Sequence, residues 1–305
     1  PRAVINCKRF NKCTTGCVSG AKQSTLQGYI YPASDFGLRI LTGARAEKII
    51  LRDKIPYKLK IKTNNKYYYL KFKKIILACG PIQTPLLIKK SFGNSSLNSK
   101  MQIHLNLRFN ILFKDKLNSQ NGTIFTKQIV EYLADGVLFC SSNFNKSYIF
   151  SGLNDISNNN VKELLEKIEH LATYIMQIRA SSEVKINNFY SHPVLLHSLN
   201  DYDFAKIKKF LLLFTKMMFD FGALKIYLPF KKNYVVENYN EAKKYIYKIR
   251  KNDIDLVSVH GMSSARMSLN RKNNEFFDIN GKSFLYDNLF CVDSSILPTN
   301  TIESP

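Results

Sequence analysis

The chain has 305 residues, with 45 Lys plus Arg against 23 Asp plus Glu, a formal charge of +22, six cysteines and no tryptophan. That length allows one large domain or two intergrown lobes around a buried core. Six cysteines are too few for a disulfide scaffold and fit a reducing, cytoplasmic compartment, and no charge-free apolar run reaches the roughly 18 residues of a membrane span.

The basic residues alternate with Asn, Ile and Tyr, as in KLKIKTNNKYYYLKFKK, instead of gathering on one arm or helix face. Compositional bias therefore explains the charge better than a specific nucleic-acid or polyanion partner does. Pro1 stands where an initiator methionine would, and Pro305 follows a strand with no closing helix, so an internal piece of a longer protein is expected.

In chain order, Cys7, Cys13 and Cys17 cluster, but without a CxxC pair, and Gly16 and Gly20 beside them suggest a glycine-bent loop; no metal site is expected. LRILTG, AEKIIL, YKLKIKT and YYYLKFKKIIL then give β-rich runs separated by Arg52-Asp53-Lys54 and Asn64-Asn65-Lys66. This predicts a short meander. It ends in Ala78-Cys79-Gly80-Pro81, and a helix is predicted to start at Pro85 over PLLIKKSF. A strand that delivers a glycine to a helix start suits a dinucleotide, because backbone can approach phosphate or ribose there; a plain α/β corner has the same pattern.

From Met101 to Arg250, IHLNLRFNILF and GVLFCSS read as strands, and VKELLEKIEHLATYIMQIR reads as a helix. A second helix is predicted over YDFAKIKKFLLLFTKMMFDFG, with Asp203 in its first turn and Gly222 at its end. The pattern is of a sheet covered by helices on one face, an α+β lobe.

Near the end, His260 follows the apolar run LVSV and precedes GMSS, where an imidazole at a strand end can face a cleft and accept a proton near neutral pH. His104, His170, His192 and His197 are read as structural or substrate-lobe residues. Asp293-Ser294-Ser295 closes a further strand before the Pro298-Thr299 corner; its carboxylate could meet a ribityl hydroxyl or cap a turn.

The segments LVSVHGMSSARMS and DNLFCVDSSILPTNTIESP together resemble the C-terminal signature of the glucose-methanol-choline (GMC) flavin oxidoreductases. Cys17-x-x-Gly20-Ala21-Lys22-x-Ser24 and IILACGPIQTPLLIKKS resemble two further motifs of that family, MQIHLNLR its HPN-type strand, and DYDFAKIKKFLLLFTKMMFDFGALKIY its substrate-lobe helix. The resemblance implies an FAD-dependent oxidation of a CH-OH group in an alcohol, sugar or sterol-like molecule. It makes His260 the active-site base or a hydrogen-bonding partner above the flavin, and it puts FAD against Ala46, Gly80, Asp293 and Ser294. It also implies a partial FAD-binding lobe over 1–100 and 251–305, with a substrate lobe over 101–250.

Two departures stand out. The N-terminal βαβ unit with GxGxxG, whose helix start carries the pyrophosphate, is absent. The family's usual asparagine or histidine after the Pro-Thr corner is matched by Ser304, whose hydroxyl can bind substrate but accepts a proton less readily than imidazole. A non-catalytic or truncated paralogue acting as a binding module is the alternative. The electron acceptor (oxygen, a quinone or a cytochrome) is not legible in the sequence.

Overall fold

A computed structural model describes residues 3–93, 97, 100–122, 127–142, 146, 149, 158–189, 192–232, 234–271 and 275–303. The chain divides into two compact units, one of residues 1–40, 106–178 and 204–257, the other of 41–105, 179–203 and 258–305. Both mix helices with sheets, an α+β architecture.

A short helix, α1 (Tyr31–Ser34), precedes the meander β1 (Arg45–Arg52), β2 (Ile55–Thr63) and β3 (Lys66–Lys71). The expected first run, LRILTG, forms no strand; the meander begins at Arg45. Its two turns are two-residue loops, Asp53-Lys54 and Asn64-Asn65, with all four residues at positive φ between 48° and 65°. That geometry matches the right-handed twist of paired strands, and Asn and Asp tolerate it best.

A register shift between Ala46 and Lys48 leaves Glu47 as an extra residue in β1, a bulge that re-aims its side chain. The short strand β4 (Ile75–Leu77) pairs in parallel with β15 (Leu289–Cys291), so residues more than two hundred positions apart form one two-stranded sheet.

Helix α2 (Gly80–Phe92) starts five residues earlier than predicted, with Pro81 in its first turn and Pro85 in its interior. Pro85 has no N–H, so the carbonyl of Pro81 loses its helical donor. The hydroxyl of Ser264 replaces it, donating at 2.6 Å. One face of α2 buries Leu87 and Ile88 against Ile49, Leu77, Phe276 and Leu289, the core of this unit.

Next come β5 (Lys100–Phe113), β6 (Gln128–Ile129), β7 (Val137–Ser141), α3 (Asn158–Glu166), β8 (Leu171–Phe189) and β9 (His192–Leu196). The helix expected over VKELLEKIEHLATYIMQIR is therefore only half right. It stops at Glu166, and after a 3-10 turn over Ile168–His170 the chain runs extended from Leu171. Lateral partners decide this: residues 174–178 pair with β7, and the Thr173 hydroxyl donates to Asn110 at 2.8 Å. Apolar spacing alone fits either structure for so short a run.

Helix α4 (Asp201–Asp220) is followed by β10 (Ala223–Tyr227), β11 (Val235–Val236) and α5 (Tyr239–Lys248). In the first unit the sheet order is β11-β10-β5-β8-β7-β6. Ile207, Phe210, Leu211, Phe214 and Met218 of α4 are buried at helical spacing. Phe214 meets Phe109 at 4.5 Å and stacks on Phe139 at 5.0 Å between ring centroids.

The chain closes with β12 (Gly261–Met262), β13 (Met267–Ser268), β14 (Phe277–Asp278), β15 and a 3-10 turn over Ser294–Ile296. The run before His260 makes only an isolated bridge, Val257 to Asn106, so the imidazole enters β12 instead of ending a strand. Among the described residues no helix is long and apolar enough to cross a membrane, and no three His, Cys, Asp or Glu side chains gather as a metal site.

Candidate active site

Within the second unit, β12 pairs antiparallel with β5, Gly261 opposite Ile103 and Met262 opposite Gln102. The fit is tight. A Cβ on Gly261 would stand 2.5 Å from Met101 Sδ and 3.0 Å from Pro81 Cγ, so any larger residue must displace the Met101 side chain.

After β12 the chain crosses to the Asp293 turn. Ser263 N donates to Ser294 O at 3.0 Å, Ala265 N to Ser295 O at 2.8 Å, and Ser294 Oγ donates back to Gly261 O at 2.9 Å. Ser263 holds a left-handed φ of 62°, and its buried hydroxyl has no hydrogen-bond partner among the described residues. A left-handed backbone and an unpaired buried hydroxyl at one residue motivate a functional assignment for it.

Asp293 ties three segments together. Its Oδ1 accepts from Ser295 N at 2.8 Å, capping the 3-10 turn, while Oδ2 accepts from Gly80 N at 2.9 Å and Thr84 Oγ1 at 2.6 Å. A carboxylate at the start of α2 is favoured by both the free N–H groups and the helix dipole. Gly80 itself is at φ +80°, with nothing within 4 Å of where a Cβ would stand. Conformation demands glycine there, and the space beside it is open.

Next to Gly80, Cys79 lines a cleft of about 390 Å³ whose wall includes Ala46, Glu47, Gln83, Leu86 and Lys90. Glu47, on the bulge, is ion-paired with Lys90, whose hydrogen bond holds the carboxyl below its usual range. Burial pushes the Cys79 thiol up, so it remains protonated at neutral pH.

At the other end of the terminal segment, Asn300 is a clamp. Its N–H donates to Gln102 Oε1 at 2.7 Å, and its Nδ2 donates to Ala180 O at 2.7 Å and Ile103 O at 3.3 Å. This fixes the next carbonyl, Thr301 O, at 2.6 Å from His104 Nε2. His104 is fully buried on β5, and its other nitrogen, Nδ1, lies 3.0 Å from Nδ1 of His260, the two rings nearly perpendicular at 81°. Burial lowers the affinity of both imidazoles for a proton.

His260 therefore lies beside a second imidazole that sequence reasoning assigned to a structural role. Ala46 and Gly80 lie at the cleft and its edge, Asp293 and Ser294 in the turn that braces it, and Ser304 outside the described residues. His104, Thr84, Ser263 and Asn300 were missed. The signal for His104 was a lone imidazole within the apolar run MQIHLNLRF; nothing in the sequence distinguished the other three.

Among the remaining expected structural residues, His197 Nε2 meets Ser182 Oγ at 2.9 Å. That hydroxyl donates to Asp203 at 2.7 Å, and Asp203 also accepts from the backbone and hydroxyl of Ser181. His170 Nδ1 lies 2.8 Å from Lys114 O. Cys7, Cys13 and Cys17 are free thiols.

Two family models, the N-terminal and C-terminal parts of the GMC oxidoreductases, match residues 1–107 and 182–305. An uncharacterised GMC-type oxidoreductase of Sinorhizobium fredii is 22% identical over 97% of this chain and 60% of its own length. One from Mycobacterium tuberculosis is 20% identical over 98% of this chain and 48% of its own. The chain thus spans about half to three fifths of the length of these relatives.

Among solved structures, pyridoxine 4-oxidase from Mesorbium loti superposes with a TM-score of 0.65 at 13% identity, covering 93% of this chain and 59% of that one. An FAD-dependent oxidoreductase from Chaetomium thermophilum gives 0.59 at 14%, covering 93% and 62%. Aspergillus oryzae formate oxidase gives 0.57 at 12%, covering 84% and 56%. At these identities the likeness is one of fold.

Proposed function

The chain belongs to the GMC oxidoreductase family, and from that premise we propose that it is part of an FAD-dependent enzyme oxidising the CH-OH group of an alcohol, sugar or sterol-like small molecule. Residues 1–100 and 251–305 form its incomplete cofactor lobe, and 101–250 its substrate lobe, a sheet covered by helices. Within that division, 1–40 and 179–203 pack with the opposite compact unit.

The residues suit FAD. Ala46 and Cys79 line a cleft with open space beside the backbone of Gly80, which supports binding of the adenosine half. The Asp293 turn holds Gly80 in place and leaves the orphaned Ser263 hydroxyl to be satisfied. Bound FAD supplies the hydride acceptor.

The chain's own part is proton handling. His260 takes the hydroxyl proton of the substrate at Nε2, because its Nδ1 is already engaged by His104. Burial keeps the imidazole neutral at physiological pH, ready to accept. Ser304 lies outside the described residues; by its match to the family's position after the Pro-Thr corner, its hydroxyl is assigned as a hydrogen-bonding partner of the substrate. The observation that carries this reading is the His260 imidazole with Nδ1 held 3.0 Å from Nδ1 of His104 and no hydrogen bond at Nε2 among the described residues.

The test is the absorption spectrum of the purified full-length protein during anaerobic addition of a panel of primary and secondary alcohols. Loss of the oxidised-flavin bands with at least one of them is expected. A colourless protein that takes up no FAD would sink the enzyme reading and favour a binding module.

A further inference from the structure

We infer that His104 is the positioning residue of this site: through its bond to the Thr301 carbonyl it fixes the tautomer of His260, leaving the lone pair of His260 on Nε2. This rests on the proposed role of His260 as base and adds the group that prepares it.

A backbone carbonyl only accepts, so at 2.6 Å from Thr301 O the Nε2 of His104 must carry a hydrogen. A neutral imidazole has one N–H, so Nδ1 of His104 is then an acceptor. Nδ1 of His260, 3.0 Å away, must donate to it, and Nε2 of His260 is left unprotonated.

The competing arrangement needs His104 doubly protonated, a cation with no exposed surface and, among the described residues, no carboxylate hydrogen-bonded to it. Burial opposes that charge, and the neighbouring His260 opposes it further.

The carbonyl that sets the chain of donors is itself immobilised. Asn300, immediately before Thr301, is held by Gln102, Ile103 and Ala180. The order of events is then definite. When His260 gains a proton at Nε2 it keeps its Nδ1–H bond to His104, so the new positive charge faces an acceptor already in place. A neutral imidazole thus fills the orienting role that a carboxylate fills in many histidine-based sites.

Selective 15N labelling of the histidines in the full-length protein reads the tautomers directly, whether or not a substrate is known. The expected spectrum near neutral pH has His104 protonated at Nε2 and His260 protonated at Nδ1. A His260 that carries its hydrogen on Nε2 overturns the inference and the assignment of Nε2 as the proton acceptor, whereas the flavin-bleaching test decides separately whether the protein is a flavin enzyme.

Two variants complete the test. His104→Phe removes the acceptor, and it should shift His260 toward the Nε2–H form and lower kcat about 10–100-fold with KM little changed. His104→Gln keeps one acceptor and one donor and should restore the Nδ1–H form and most of kcat. Equal losses in both, with the His260 tautomer as in the wild type, would show that His104 merely fills space. Should the Phe variant fail to fold, the wild-type and Gln spectra still decide.

Discussion

Thr84 Oγ1 donates to Asp293 Oδ2 at 2.6 Å across 209 positions of sequence, and the same oxygen accepts from Gly80 N. One carboxylate therefore caps a helix, anchors a buried threonine and, through Oδ1, closes a second turn. Its place at the edge of the cleft makes the proposed cofactor seat depend on a contact between distant segments of the chain.

Asp293→Ala removes the acceptor for all three donors. A stability loss of about 2–4 kcal/mol is expected, a cap plus one buried hydroxyl left unpaired. The urea midpoint of the purified variant measures it. A loss under about 0.5 kcal/mol would mean that water replaces the carboxylate.

His260→Ala should lower the chemical step by about 10²–10⁴-fold, the range for removal of a general base. Stopped-flow reduction of the flavin separates that step from binding. A change confined to KM would count against proton abstraction by His260.

Ser263→Gly relieves a left-handed φ of 62° and deletes an unpartnered buried hydroxyl. The protein without cofactor should gain about 1 kcal/mol. If the hydroxyl serves the flavin, as proposed, the same variant should bind FAD more weakly, measurable by fluorescence titration. A gain in stability with unchanged affinity assigns the strain to something else.

Gly261→Ala drives a methyl into Met101 and Pro81 and should cost about 1–3 kcal/mol. Combined with Met101→Ala, the loss should be smaller than the sum of the two single variants, because both act on one contact. Strict additivity would show that β12 shifts as a whole instead.

Stability should also depend on pH through the buried imidazoles. Burial lowers the folded-state affinity of His104, His197 and His260 for a proton. The unfolded chain, near 6.5, then protonates first as pH falls. This contribution is present above about pH 6.5 and is lost as pH drops toward the folded values. Urea midpoints between pH 7.5 and 5 should fall, and less steeply in His104→Gln.

Local chemistry made part of this fold readable in advance. The turns at Asp53-Lys54 and Asn64-Asn65 and the helix from Asp201 to Asp220 depend on neighbours in sequence, and they lie where the residue types put them. The helix expected through Leu171 failed because strand pairing is decided by a partner elsewhere in the chain. Pro85 misled for a related reason: a proline inside a helix is tolerated when a distant hydroxyl, here Ser264, takes up the carbonyl it strands.

The site divides in the same way. His260, Gly80 and Asp293 sit in short runs whose order is recognisable. His104 could not be found by spacing, since it meets His260 across 156 positions and only the register of β5 with β12 brings them together. Asn300 is one asparagine among many until the carbonyls of Ile103 and Ala180 are seen around it.

The pairing of β4 with β15 sets a timetable for biosynthesis. A ribosome adding about 5–20 residues per second releases Leu77 on the order of 10–40 s before its partner Cys291. Through that interval one edge of β4 has no mate, and the first turn of α2 lacks the carboxylate that caps it. The nascent protein thus carries an unpaired strand edge, an aggregation hazard, until Cys291 has emerged.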